Sequence, residues 1–126
     1  KSHRTDYSDG EQARDFVYVK DCVSVIFWLM TRPDVNGLFN VGTGQARTWN
    51  DVAHALFAAM NKPPNIHYVD MPQDIQSHYQ YFTQASITKL TAAGYDGGFM
   101  TLEDATLDYV RSYLLDHSYL DSLKTD

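Results

Sequence analysis

The sequence predicts an α/β domain, because segments with strand-like and helix-like patterns alternate along most of its 126 residues. Three short runs rich in β-branched and aromatic residues are typical of strands, at residues 16–19, 38–41 and 66–69. Helical periodicity and helix-capping residues fill most of the intervals between these runs. The length fits one ordinary domain that can bury a sizeable core.

The first predicted helix runs from Asp21, which can cap its start, to about Arg32, where Pro33 and Gly37 stop it. Five of its residues share one helical face, which we expect to point into the core: Cys22, Val23, Ile26, Phe27 and Met30. Cys22 is the single cysteine of the chain, so no internal disulfide is expected and we interpret it as a small core residue.

The second predicted helix begins at a capping pair, Thr48 with Asp51, and continues to about Asn61. Its apolar face is expected to point inward: Val52, Ala55, Leu56, Ala59 and Met60. The sequence Asn-Lys-Pro-Pro then ends the helix, because proline cannot continue it.

Two more helices are predicted in the last third of the chain. A short one starts at Ser86 and is closed by Gly94. The last begins at Thr101 with Asp104 and runs to about Leu120, followed by a frayed tail at 121–126.

Two connecting stretches carry no regular pattern. Residues 1–13 are polar and are expected to form an exposed loop, while residues 70–85 are polar, aromatic and irregular. A connector of that length is more often functional than a plain turn, although a mobile loop is the alternative.

Composition excludes several classes of partner. The net charge of −6, with scattered Lys and Arg, argues against a nucleic-acid-binding surface. No apolar run reaches the roughly 18 residues of a membrane span. A single cysteine fits a reducing cytoplasm.

The stretch FNVGTGQARTWNDV, residues 39–52, has the order strand, glycine-rich turn and helix start that a dinucleotide-binding loop requires. Arg47 stands where such a loop needs its third glycine for close packing of helix and strand. The helix cap at Thr48 also falls four residues after Gly44, which moves the helix dipole away from the glycines. We therefore expect no cofactor site in this chain, and a turn beside a bound group or a neighbouring domain instead.

Catalytic arrangements are missing as well. No Tyr-x-x-x-Lys pair and no Gly-x-Ser-x-Gly elbow occurs, and the five histidines have no metal-ligand spacing. The sequence thus predicts neither a catalytic residue nor a metal site in this chain.

Several residues suit the binding of a phosphorylated ligand. Arg14, between a polar loop and a predicted strand, can capture a phosphate bidentately or form a structural ion pair. Its neighbour Asp15 is expected to fix backbone or arginine geometry. Aromatic and glutamine residues of the 70–85 connector can stack on a base or sugar and donate hydrogen bonds, or simply pack: Tyr79, Tyr81, Phe82, Gln80 and Gln84.

Four segments together carry a family resemblance: RDFVYVKD (14–21), LFNVGTGQARTWNDVA (38–53), YQYFTQASITKLTAAGYD (79–96) and the closing helix. They resemble the C-terminal part of extended short-chain dehydrogenase/reductases, and the third segment is similar to a narrower group that epimerises ADP-sugars. The resemblance implies the small C-terminal substrate-binding domain of such an enzyme, with the Rossmann domain absent from this chain. Residues 1–13 would end a substrate-contacting loop, and residues 14–120 would form the nucleotide-sugar-binding domain.

The same resemblance implies how the parent enzyme works. Its missing N-terminal Rossmann domain would bind NADP and carry the catalytic Tyr and Lys, so the fragment alone is expected to be inactive. The partners implied are an ADP-sugar and that Rossmann domain, in a cytoplasmic protein that could be a homo-oligomer. The first residue is not Met, which fits an excised piece.

Carried over by motif position, Arg14 matches an arginine that contacts the substrate's phosphates, and Tyr79 matches a substrate-contacting tyrosine. His78 replaces the arginine that precedes this tyrosine in the family. Lys1, Ser2 and His3 match the end of a substrate-contacting loop. The alternatives are another nucleotide-sugar epimerase or dehydratase, and a stand-alone non-catalytic binding module.

Overall fold

A computed structural model describes residues 1–115 of the chain, most of whose regular structure is helical. The helices are α1 (Val19–Met30), α2 (Trp49–Ala59), α3 (Gln73–Gln76), α4 (Thr88–Ala92) and α5 (Leu102–Tyr109). Helix α5 continues as a π-helical turn over Val110–Leu114. The rest of the predicted last helix and the predicted tail lie outside the described residues.

The strands in the described part of the chain are β1 (Ala13–Arg14) and β2 (Arg47–Thr48), which pair antiparallel. Ala13 also forms a parallel bridge with Phe82. Strand β1 therefore joins three distant segments: the end of the 1–13 loop, the stretch after the glycine turn, and the connector that carries Tyr79.

The strands predicted at 16–19, 38–41 and 66–69 are wrong. Val19 already belongs to α1, whose first turn begins after Tyr18. Residues 38–41 and 66–69 form no ladder with any residue among 1–115. β-Branched and aromatic residues suit a pleated surface, but a strand also needs a partner for its backbone groups, which the local pattern does not reveal.

The predicted inward face of α1 is also wrong. Val25 and Trp28 are the buried apolar residues, and they pack with Leu90 and Tyr95 in the core cluster. Most of the face expected to be inward is exposed, together with Val19: Val23 58%, Ile26 56%, Phe27 66% and Met30 76%. Asp21 is not the cap; it is buried inside α1, where its carboxylate accepts a hydrogen bond from the backbone N–H of Met100 at 2.9 Å.

Two of the predicted capping signals are confirmed, those at Thr48 and Thr101. Thr48 and Asp51 form the reciprocal capping box of α2, and Thr101 accepts the backbone N–H of Asp104 at the start of α5. Ala55 and Ala59 are the buried residues of α2, in accord with its predicted inward face, and α2 packs against α5. None of the helices among residues 1–115 is both long and apolar enough to cross a membrane.

Candidate functional site

The residues predicted to bind substrate gather around two tyrosines of the connector, Tyr79 and Tyr81. The two rings meet edge to face with centroids 5.6 Å apart. Arg14 lies against Tyr79, while Ser2 and His3 lie against Tyr81. The fold thus brings four of the five predicted residues onto one aromatic cluster.

The guanidinium of Arg14 stacks over the Tyr79 ring, with its central carbon 5.0 Å from the ring centroid. Its Nη1 donates to the carbonyl of Ala13 at 2.8 Å, and its Nη2 donates to the carbonyl of Gln80. Within residues 1–115, no carboxylate lies at ion-pair distance from Arg14. The described residues therefore do not show the ion-pair alternative, and none of them offers a carboxylate at ion-pair distance in place of an anionic ligand.

Trp49 is a member of this cluster that the sequence prediction missed. Its indole Nε1 donates to the Tyr79 hydroxyl at 3.1 Å, and its ring contacts Phe16 edge to face. Trp49 is 43% exposed, which is unusual for so large an apolar side chain. Its partner Tyr79 lies 30 positions further along the sequence, so no local signal indicated this contact.

Lys1, the remaining predicted residue, lies at the cleft that Trp49 and Tyr79 also line. Its Nζ is 3.1 Å from Asp70, and its backbone nitrogen donates to the carbonyl of Val69. Together with Trp49 and Tyr79, Lys1 lines a cleft of about 300 Å³. The cleft offers aromatic walls and charged groups of both signs, which suits a small polar ligand with a planar part.

Tyr81 anchors the beginning of the chain. Its hydroxyl accepts the backbone N–H of His3 at 3.0 Å and lies 2.8 Å from the imidazole Nδ1 of the same residue. The Ser2 hydroxyl is 3.2 Å from the same oxygen. Tyr81 is 5% exposed, so these contacts lie at a buried side chain.

Asp15 holds the glycine turn. Its carboxylate accepts the backbone N–H groups of Thr43 and Gly44 at 2.8 and 2.9 Å, the Thr43 hydroxyl at 2.6 Å, and the N–H of Ala85 at 3.0 Å. Burial alone would raise the pKa of the Asp15 carboxyl, but these four hydrogen bonds outweigh burial and lower it. A Cβ on Gly42 would lie 2.6 Å from Ala85 Cβ and 2.8 Å from Asp15 Oδ2, so close approach requires glycine there.

The same geometry bears on a cofactor. A dinucleotide loop offers its backbone N–H groups to a pyrophosphate, but here the N–H groups of Thr43 and Gly44 already bind the Asp15 carboxylate. A second anion at this turn would meet that negative charge. The turn therefore does not fit NADP, and its role is to connect the segments that carry Asp15 and Ala85.

Arg47 explains why the third glycine position holds a large side chain. Its guanidinium lies 3.1 Å from Asp51 on α2 and 2.7 Å from Glu103 on α5. These two carboxylates raise the pKa of Arg47, and the hydrogen bond from Arg47 contributes first to the lowered pKa of both acids. Arg47 thus links the two packed helices.

A second polar cluster, which the sequence prediction missed, joins the start of α1 to α5. The Asp108 carboxylate lies 2.6 Å from Lys20 Nζ and accepts a hydrogen bond from the Tyr18 hydroxyl. The hydrogen bond from Lys20 and, to a smaller extent, the one from Tyr18 lower the pKa of Asp108 to about 2. Burial and, to a smaller extent, the hydrogen bond to Asp108 raise the pKa of Tyr18 to about 12. No group of three His, Cys, Asp or Glu side chains in the described part of the chain could hold a metal ion.

Known proteins resemble this chain over most of its length. The sequence model of the NAD dependent epimerase/dehydratase family matches residues 3–42. A protein of Nitratidesulfovibrio vulgaris named ADP-L-glycero-D-manno-heptose-6-epimerase is 54% identical over 114 residues, which cover 90% of this chain and 35% of that protein. A protein of the same name from Fusobacterium nucleatum is 40% identical over 127 residues, covering 95% of this chain and 38% of that protein.

The fold has a solved counterpart. A UDP-N-acetylglucosamine 4-epimerase from Methanobrevibacter ruminantium, in complex with UDP-N-acetylmuramic acid, matches with a TM-score of 0.71 at 24% identity. The match covers 87% of this chain and 34% of that one, which shows that the fold is shared with part of such an enzyme.

These likenesses define the class: the chain is a relative of the NAD dependent epimerase/dehydratase family and has the fold of one part of such an enzyme. Within that class it is homologous to the ADP-L-glycero-D-manno-heptose-6-epimerases, and it spans about a third of the length of the curated relatives it matches. The family and fold expected from the sequence are confirmed.

Proposed function

We propose that this chain is the substrate-binding portion of an epimerase that interconverts ADP-D-glycero- and ADP-L-glycero-D-manno-heptose. The names of relatives at 54% and 40% identity support this assignment. The parent protein would be an NADP-dependent isomerase of the cytoplasm, and its product would serve lipopolysaccharide core synthesis.

One observation carries the proposal: Arg14, without a carboxylate partner among the described residues, lies on the ring of Tyr79, which lines the cleft of about 300 Å³. A nucleotide sugar presents a diphosphate, a planar base and a hydroxyl-rich sugar. The guanidinium suits the diphosphate, because its planar fork binds phosphate oxygens bidentately. Tyr79, with Lys1, Ser2 and His3 nearby, would contact the rest of the ligand.

The cofactor and the chemical step belong to the rest of the parent protein in this proposal. The glycine turn does not fit a pyrophosphate, because Asp15 already occupies its N–H donors. NADP and the catalytic Tyr and Lys would lie on an N-terminal Rossmann domain, which would close over the sugar held by this chain.

The exposed apolar surface of α1 supports such a partner domain. Residues at positions 19, 23, 26, 27 and 30 recur at helical spacing and are 56–76% exposed. Next along the chain, the backbone groups of residues 38–41 have no backbone partner within residues 1–115, and Leu38 is 86% exposed. A helix with this pattern and a strand-like segment beside it are typical of elements that pack onto a further sheet.

The runner-up is another nucleotide-sugar epimerase or dehydratase. The structural likeness to a UDP-sugar epimerase favours it as an alternative, although that likeness is of the fold alone. The two proposals differ in the nucleotide and sugar that the parent protein accepts, so substrate preference separates them.

The test is turnover by the full-length polypeptide that contains this chain. With NADP bound, we expect it to epimerise ADP-heptose and to leave UDP-hexoses unchanged, while the 126-residue chain alone shows no turnover with either. Epimerisation of UDP-hexoses in preference to ADP-heptose would establish the runner-up. NADP-dependent turnover by the isolated chain would overturn the assignment of the chemistry to the missing part.

A further inference from the structure

We infer that Tyr81 is a positioning residue that fixes residues 1–4 against the Arg14–Tyr79 pair, so that two separate segments present one substrate surface. The inference deepens the proposed function and rests on it. Its basis is the set of contacts around one buried phenol ring.

The hydroxyl of Tyr81 meets three groups of the chain start. The backbone N–H of His3, the imidazole Nδ1 of His3 and the Ser2 hydroxyl lie 3.0, 2.8 and 3.2 Å away. A phenol hydroxyl has one proton and two lone pairs, so it can satisfy three partners at once. Replacing this hydroxyl would leave the His3 amide without the acceptor it now has.

The ring of Tyr81 adds packing to these hydrogen bonds. The guanidinium carbon of Arg4 lies 5.0 Å from its centroid, and the Tyr7 and His3 rings contact it at 4.8 and 5.3 Å. Cation–π and edge-to-face contacts of this kind each add modest stabilisation. The Tyr81 side chain therefore contacts Ser2, His3, Arg4 and Tyr7, while Lys1 is bound separately by Asp70.

The backbone of Tyr81 is fixed on its other side to β1. Its carbonyl accepts the N–H of Ala13 at 2.9 Å, and the N–H of Thr83 donates to the carbonyl of Ala13 at 3.1 Å. Ala13 directly precedes Arg14. The backbone around Tyr81 thus binds Ala13, which precedes Arg14, while the Tyr81 hydroxyl binds Ser2 and His3. In this way Tyr81 connects the arginine that would bind phosphate with the segment that would contact the rest of the ligand.

Tyr81→Phe is the informative variant, because it keeps the ring and removes only the hydroxyl. In this chain, we expect amide hydrogen exchange at His3 to accelerate about fivefold, the size expected for losing one hydrogen bond. In the full-length polypeptide, we expect the KM for ADP-heptose to rise about fivefold, with kcat within about twofold of the parent value. Tyr109→Phe, on the exposed face of α5, is the matched control and should change neither quantity.

Measuring Arg14→Ala as well distinguishes a failure of the positioning role of Tyr81 from a failure of the proposed substrate surface. Unchanged His3 exchange in Tyr81→Phe would overturn the positioning role whatever the enzyme's substrate. Faster His3 exchange with an unchanged KM, while Arg14→Ala raises KM, would overturn the link between this anchor and the substrate. If Arg14→Ala also leaves KM unchanged, the proposed substrate surface is wrong, and the inference falls with it.

Discussion

At the scale of single residues, Asp15 shows how one carboxylate organises the site. Its two oxygens accept four hydrogen bonds from the glycine turn and from Ala85, and the adjacent residue is Arg14. From its place beside Arg14 and before a predicted strand, Asp15 is predicted to fix backbone or arginine geometry. The structure shows the first of these, since its partners are loop N–H groups and a hydroxyl.

Asp15→Asn should loosen this turn. An amide group has one acceptor oxygen, so at least one pair of the four donors would face an NH₂ group instead. We expect the free energy of unfolding at neutral pH to fall by about 2–4 kcal/mol, because hydrogen bonds to charged groups are the stronger ones. Urea unfolding of this chain and the variant measures the difference, and a loss below about 0.5 kcal/mol would contradict the role assigned to the carboxylate.

The pH dependence of that difference has a defined sign. Since the folded pKa of Asp15 is lowered from its ordinary 3.8, its stabilisation is fully present above that value and is lost as the pH falls through the folded pKa. The gap between this chain and Asp15→Asn should therefore be constant from neutral pH down to about 5 and should shrink below about 4. Other carboxylates titrate in the same range, so the comparison with the variant isolates Asp15.

At the scale of elements, α1 has two apolar faces with different partners. One buries Val25 and Trp28 in the core cluster, and the other exposes Val23, Ile26 and Phe27. A soluble surface helix ordinarily has one apolar stripe, so a second one indicates a further packing partner.

Phe27→Gln tests that second face. Phe27 is 66% exposed, so in this chain the substitution should change the free energy of unfolding by no more than about 0.5 kcal/mol. In the full-length polypeptide it should cost about 1.5–3 kcal/mol, the value of burying a phenylalanine side chain. Val25→Ala, at a fully buried position on the same helix, is the control and should destabilise both forms by about 2 kcal/mol. Equal small effects of Phe27→Gln in both forms would show that no partner covers this face.

The sequence predicted those features whose interactions join residues close together along the chain, and it failed for those that depend on distant partners. The caps at Thr48 and Thr101 were predictable, because a capping hydrogen bond joins residues three apart. The strands were not, because 38–41 has the composition of a strand and finds no ladder partner among residues 1–115. The face of α1 was mistaken because periodicity reveals an apolar stripe but not which partner covers it.

The candidate site was predictable only where a motif named its residues. Arg14 and Tyr79 came from the family resemblance, and the structure places them in contact. Trp49 and the Lys20–Asp108 pair are joined to their partners across 30 and 88 positions of sequence, so nothing local indicated them.

At the scale of the whole molecule, the proposal gives this chain the binding of the nucleotide sugar and gives the chemical step to the rest of the parent protein. It spans about a third of its curated relatives, and its glycine turn is closed by its own carboxylate. Under the proposed function, NADP and the hydride transfer would belong to the part of the parent protein outside this chain.

The most direct measurement of this account is the KM for ADP-heptose of the full-length polypeptide with Arg14→Ala. Losing a charged hydrogen bond to a phosphate should raise KM about 10- to 100-fold, while NADP remains bound as in the parent protein. Arg111→Ala, at an arginine in the π-helical turn, is the matched control and should leave KM unchanged. A KM for Arg14→Ala equal to that of the parent protein would contradict the assignment of this chain as the part that binds the nucleotide sugar.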